Sequence, residues 1–356
     1  MKKILYSVAL AACVMGTMTS CSDFLDAENK SNVSDKQTFA TKDGFNTLVN
    51  DAYQRLQDVY AAPLFTSCFS AGTDMYADAR NKMNEALNTY ETLTPENSDI
   101  KNLYTYLYSG IRAANSVSYY AQSAKVDDAT KNKLVGEARV LAAYEYYLLV
   151  NNFGGVPIMK DFITTADMGY PKSSAADVYA YIISELEDVI GKNVLQASTA
   201  TKGGGRISQE TAKAILAKTY LSAAWDLNKQ DYFSKAAALA DEVIAGRKLT
   251  TPFAKLWKAD GSGDDNEEFL WDVEYDLATA NNTTSGGTEW SGYYCNYLGG
   301  NEDNIKATTS SYVPTLCLAL FQEGRPALRC YLHEGIARYK QRKCCRYRLL
   351  DLVQEW

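Results

Sequence analysis

Histidine is almost missing from this chain: His333 is the only one among 356 residues. A hydrolase of the serine or cysteine type needs a base beside its nucleophile, nearly always an imidazole, and residues 21–316 offer none. Metal sites built on histidine and imidazole proton shuttles are excluded with it. No Cys-x-x-Cys occurs, so neither a zinc site nor a thioredoxin-type motif is supported. Gly203-Gly204-Gly205 has no Gly-Lys-Ser/Thr after it and reads as a turn before a helix, not as a phosphate loop. Basic charge is also in short supply: 36 Lys and Arg face 43 Asp and Glu, a net charge of −7. Affinity for phosphate backbones comes from clustered Lys and Arg, so nucleic acid is not an expected partner. Beyond the N-terminus no apolar run approaches the roughly 20 residues of a membrane-spanning helix.

The N-terminus holds the one concentrated apolar run. Lys2 and Lys3 precede Ile4–Met15, which is almost wholly apolar and carries no charge. Its length suits the h-region of a signal peptide. Thr17, Thr19 and Ser20 then lead to Cys21, and a small residue before a cysteine at this point looks like a bacterial lipobox. Residues 1–20 are therefore expected to be cleaved and Cys21 to become a lipid anchor. Two or more acyl chains hold a protein on a bilayer stably. The alternative is an ordinary signal peptide followed by a chance cysteine. Loss of Lys2 and Lys3 would take the net charge from −7 to −9.

What is present is mostly helical patterning. Phe45, Leu48, Val49, Ala52, Leu56 and Val59 recur at three- and four-residue steps. Four further stripes are Ile100–Val117, Val135–Phe153 closed by Gly154-Gly155, Val178–Val189, and Ala212–Ala223 with Ser208 as N-cap. A sixth joins Ala236, Leu239, Ala240, Val243 and Ile244. The short polar link around Asn228–Asp231 predicts that the last two helices pack antiparallel. A pair of this size resembles one tetratricopeptide-type repeat, although periodicity alone leaves a helical bundle or α-solenoid open.

Long irregular stretches separate the helices at Phe65–Asn81, Gly154–Ser173 and Asn193–Gly205, and the region after Thr250 changes character, rich in Gly, Asn, Thr and aromatics with one short strand-like run, Glu268–Val273. Loops of this length are usually functional or disordered. Their Tyr and Trp content argues against disorder; tyrosine is abundant overall, at 26 residues. Acidic pairs such as Asp74 with Asp78 and Asp264 with Asp265 could in principle serve a glycosidase, but solvated surface is the commoner role. Asp260–Asn266 offers oxygen ligands without the spacing of a calcium loop and reads as a polar turn.

Residues 317–356 differ in kind. They hold four of the eight cysteines (Cys317, Cys330, Cys344, Cys345) and His333, with eight Lys or Arg against four acids. An out-of-frame read beginning near Leu316 is the expectation; a genuine basic C-terminus is the alternative. Sequencing the gene across codons 310–330 decides between them, since an intact frame removes the first.

Several stretches together resemble the SusD/RagB family of lipoproteins. Cys21-Ser22-Asp23-Phe24-Leu25-Asp26 resembles the family's mature N-terminus. Glu137-Ala138-Arg139-Val140-Leu141-Ala142-Ala143-Tyr144, running on through Tyr146-Tyr147 to Phe153-Gly154-Gly155-Val156-Pro157, resembles its most characteristic stretch, with Ala142 where the family often has Arg. Ile207–Leu221, Asn266–Trp271 and Tyr312-Val313-Pro314-Thr315 resemble further family segments. The resemblance covers residues 21–316 and stops where the composition changes.

The resemblance implies an all-α fold, a tetratricopeptide-like helical superhelix with long irregular ligand-binding loops. The organisation expected is a signal peptide at 1–20, a nutrient-binding domain at 21–316, incomplete at its C-terminus, and an atypical tail at 317–356. It implies a non-catalytic glycan-capture protein without cofactor or metal, held at the outer membrane on the cell surface as the lid of a SusC-like TonB-dependent transporter. Sugars stack C–H faces on aromatic rings and pair hydroxyls with amides and carboxylates. Glu289, Trp290, Tyr293, Tyr294 and Asn296, with Tyr297 beside them, are one candidate glycan surface; Asp74, Tyr76 and Asn81 are another. Packing of Trp290 and its neighbours into a small loop core is the alternative. Two other functional classes stay open, a lipid-anchored glycosidase and a lid that touches no ligand.

Overall fold

The computed structural model describes residues 35–60, 62–73, 77–78, 85–164, 169–198, 205–245, 247–256, 268–273, 311–312 and 347–348. The chain divides into two compact units, Met1–Thr38 and Phe39–Trp356. Of the first, residues 35–38 are described, within a short helix Asp35–Phe39. The long helices belong to the second.

Six of them form its described body: α1 (Lys42–Val59), α2 (Ser98–Tyr120), α3 (Asp128–Phe153), α4 (Ala175–Lys192), α5 (Gln209–Asp226) and α6 (Asp231–Ile244). Five start where a side chain can satisfy the orphan N–H groups of a first turn. Thr41, Asn97, Asp127, Ser174 and Ser208 are the caps, and Ser174 with Asp177 forms a reciprocal capping box. Gly154, at φ 67°, ends α3, and Asn193, at φ 50°, ends α4; both adopt positive φ, which glycine takes freely and asparagine better than most residues.

Each helix packs on the next from α1 through α6, and α1, α3 and α5 also touch in series. Three antiparallel pairs whose first helices line one side make a solenoid of tetratricopeptide type. Among the described residues the strands are two-residue bridges: β1 (Ala77–Asp78), β2 (Asp272–Val273), β3 (Ser311–Tyr312) and β4 (Tyr347–Arg348), paired antiparallel as β1 with β3 and β2 with β4.

The apolar stripe of α1 is buried as its spacing predicts, from Phe45 to Val59. α3 is different. Val140–Tyr146 is buried without a break, because α1, α2, α4 and α5 all pack around it; Ala138, Ala142 and Ala143 let these neighbours come close. Two carboxylates are caught in this helix, Glu137 and Glu145. Arg139 escapes the core and clamps α3 to α4, with Nε 2.7 Å from Glu185 and Nη1 2.6 Å from Asp188. Among the described residues α6 packs on α5 alone among the long helices, and Ile244, expected in the core, is 56% exposed.

Two stretches expected to be irregular carry more order than their sequence suggests. In Gly154–Ser173, the chain is strapped onto the solenoid: Tyr108 donates to the Pro157 carbonyl (2.7 Å), Asn115 Nδ2 to that of Met159 (2.9 Å), and Met159 N–H to Tyr146 Oη (2.7 Å). In Phe65–Asn81, a helical turn Ala62–Phe65 runs into a π-helical turn, Thr66–Ser70. Aromatic packing stabilises it, since Phe65 and Phe69 sit 5.4 Å apart and both face Tyr60. The strand-like run Glu268–Val273 is a strand only at Asp272–Val273.

Candidate functional site

The residues expected to anchor or bind, Cys21, Asp74, Tyr76, Asn81, Glu289, Trp290, Tyr293, Tyr294 and Asn296, lie outside the described residues. The segments leading into the two stretches expected to be loops are described: residues 62–73 before the early one and 268–273 before the later one. Backbone pairing of Ala77 with Tyr312 and Asp78 with Ser311 also ties the early loop to the Tyr312–Thr315 segment.

The base of the early loop is aromatic. Tyr60 closes α1, and its ring lies 5.7 Å from Phe65 and 6.3 Å from Phe69, nearly parallel to the latter. The Tyr60 hydroxyl is hydrogen-bonded to that of Tyr144 on α3. Burial pushes Tyr60 up to about 12 and Tyr144 well above the usual tyrosine range, so both stay neutral. Further on, Gly72 sits at φ 72°, where an added Cβ would overlap Tyr90 Oη and the Leu87 carbonyl. Tyr90 is itself left-handed at φ 62° and 57% exposed. It is an available aromatic face at the root of the early loop, and sequence reasoning missed it. Its cue was slight, a lone ring between Asn88-Thr89 and Glu91-Thr92.

The base of the later loop is pinned from below. Trp271 is buried, donates Nε1–H to the Gly205 carbonyl (3.0 Å), and meets the Tyr144 ring edge-to-face at 5.5 Å. Thr211 donates to the Leu270 carbonyl (2.8 Å), and the Glu268 carboxylate accepts from Thr251 N–H (2.6 Å).

Under Gly205 lies a polar knot around Glu137. Its Oε2 accepts from Tyr53 (2.8 Å) and pairs with Arg206 Nε at 2.9 Å; Lys133 stands 3.8 Å from Oε1. Tyr53 Oη accepts from Ile207 N–H (2.9 Å), and the Arg206 guanidinium lies 4.7 Å above the Tyr53 ring. Burial holds the Glu137 carboxyl above the ordinary range although Arg206, Tyr53 and Lys133 pull it down. Glu137 therefore ties α1, α3 and the entry to α5 together. Among the described residues no three His, Cys, Asp or Glu side chains gather as a metal site, and no helix is long and apolar enough to cross a membrane.

Three tetratricopeptide-type pairs carrying long loops define a helical solenoid scaffold. Within that class, residues 23–221 match the model of the SusD-like family, described as starch-binding associating with outer membrane, and the chain belongs to that family. A SusD-like protein of Formosa agariphila is 25% identical over 292 residues, 76% of this chain and 54% of that protein. A SusD homolog from Bacteroides thetaiotaomicron superposes with a TM-score of 0.69 at 19% identity, over 82% of this chain and 58% of its own. Surface glycan-binding protein A from Bacteroides uniformis gives 0.66 at 24% identity, over 79% and 61%. These likenesses establish the shared fold. The chain spans about half the length of the curated relatives it matches.

Proposed function

We propose that this chain is a cell-surface lipoprotein, anchored through Cys21 at the outer membrane, that captures glycans and passes them to a SusC-like TonB-dependent transporter. It acts by binding and carries no catalysis. Residues 1–20 are its signal peptide, 21–316 its nutrient-binding part, and 317–356 a tail read out of frame. The observation that carries this reading is the use made of the Glu137–Phe153 stretch. Its Glu137, Arg139, Tyr144 and Tyr146 hold helices and loop bases in place. They build a scaffold, which leaves recognition to the loops, where rings and amides suited to sugars are concentrated. The name of the Bacteroides uniformis relative, a surface glycan-binding protein, points the same way.

Affinity electrophoresis through gels containing candidate polysaccharides tests the proposal. The parent chain is retarded by at least one glycan, and Trp290→Ala loses about tenfold or more of that affinity, the scale of an aromatic anchor. Unchanged retardation of Trp290→Ala removes this residue from the surface. Release of reducing sugar by the purified parent overturns the non-catalytic reading.

A further inference from the structure

The two loop bases are not independent. Tyr144 touches both: its hydroxyl is bonded to Tyr60, on whose ring Phe65 and Phe69 pack, and its ring meets Trp271 edge-to-face. Tyr144 and Trp271 are buried, and Tyr60 is partly buried with its hydroxyl end enclosed. We propose that Tyr144 is a positioning residue that couples residues 62–73 to residues 268–273, so that order in one loop base is set by order in the other. This rests on the glycan-binding reading for its purpose, and on the ring geometry alone for its existence.

The coupling follows from what each contact costs to break. A buried hydroxyl left without its partner is penalised more than the bond was worth, whereas removing both partners is nearly neutral. Tyr144 cannot therefore move with Trp271 without stranding the Tyr60 hydroxyl, and the early base cannot shift without disturbing the edge on which Trp271 rests. Two segments whose equilibria share one element are coupled reciprocally. The sequence separation between them, nearly two hundred residues, makes the link invisible to any local pattern.

Hydrogen exchange read by mass spectrometry on the full chain tests this. Peptides from α4 serve as the internal reference for global stability. Tyr144→Phe raises exchange in both 62–73 and 268–273, each by about tenfold, the scale of one stranded buried hydroxyl. Tyr60→Phe combined with Tyr144→Phe restores much of the protection. Trp271→Phe, which keeps a ring but loses the bond to Gly205, raises exchange in 62–73 as well as locally. Trp225→Phe, at a ring 70% exposed on α5, changes neither segment. If Trp271→Phe alters 268–273 alone, or if the double variant is as unprotected as Tyr144→Phe, the coupling is overturned. Should the parent bind no glycan, the proposed function fails while these exchange results still decide the link. With a binding glycan present, the parent gains protection in both segments, and Trp271→Phe gains it in one.

Discussion

Glu137→Ala lowers stability by about 3 kcal/mol or more in denaturant unfolding, and the loss reaches well beyond its own helix. Breaking a buried ion pair by removing one partner typically costs about 3–5 kcal/mol, because the remaining charge is left uncompensated. Arg206 is partly exposed, with 27% of its side chain accessible, and can rehydrate. This puts the cost at the low end of that range. Tyr53 is in a worse position. Its hydroxyl loses the acceptor it donates to while still accepting from Ile207, at a largely buried position. The knot also fixes Arg206 and Gly205, and Gly205 accepts from Trp271, so the variant loosens residues 268–273 as well. Glu137→Gln separates the charge from the hydrogen bonds. Its amide oxygen still accepts from Tyr53 and Arg206, and burial already disfavours the charged form, so the expected cost is about 1 kcal/mol. Equal losses for the two variants would show that the ion pair, not the hydrogen bonding, holds the knot.

The sequence made the helices legible because most have one buried face. In α1 every residue of the apolar stripe is in the core, and Ser208 caps α5 as expected, accepting from Thr211 N–H at 3.0 Å. α3 kept its neighbours hidden. Its middle is enclosed by four helices, so the Val135–Phe153 stripe did not reveal which residues face what, and neither the burial of Glu137 and Glu145 nor the reach of Tyr144 to Trp271 could be read from period. The π-helical turn at Thr66–Ser70 escaped for a similar reason: it is stabilised by rings meeting across the turn, not by a repeating pattern. Resemblance identified Glu137–Pro157 as characteristic without saying why; the geometry supplies the reason in the ties of Glu137, Arg139, Tyr144 and Tyr146. Of the proposed recognition surface, the sequence supplied the candidates, and the described residues add Tyr90 and the two segments that lead into it. Which rings would meet a sugar under the proposed function depends on loop conformation, which no period or cap encodes.

Glu145 gives the second large effect, and it has two readings in one site. Among the described residues neither of its carboxyl oxygens has a hydrogen-bond partner, and the residue is fully buried where α3 meets α2. Its present position depends on glycine at residue 110: an added Cβ there would overlap Glu145 Oε1 and Cδ, and the carboxyl end would have to shift inside the core. Gly110→Ala is therefore expected to cost about 3 kcal/mol, the upper part of the range for an overpacked core, against a gain of roughly 1 kcal/mol for alanine over glycine in an exposed helix. Glu145→Ala in the same chain relieves the overlap, so the double variant is more stable than Gly110→Ala alone.

The charge state of Glu145 can be tested separately. Burial pushes its carboxyl well above the ordinary range, and Arg55 on α1 only partly offsets this. Arg55 is itself paired with Asp51 at 2.7 Å and acts on Asp58, which burial raises, and Tyr146 adjoins Glu145 on α3. In the native chain Glu145 is thus protonated at pH values where an unfolded glutamate, with a pKa of about 4.3, has ionised. The native state then binds more protons than the unfolded one, so stability is greatest below about pH 4 with respect to this group and falls as pH rises, until the native carboxyl itself ionises. The slope from one such proton reaches about 1.4 kcal/mol per pH unit. Glu145→Met, close in length and unable to ionise, removes this contribution and is expected to raise stability at pH 7 by about 1–3 kcal/mol, with little change near pH 4. A parallel pH dependence in parent and variant between pH 5 and 7 would show that Glu145 is ionised in the folded chain, and that Arg55 reaches it.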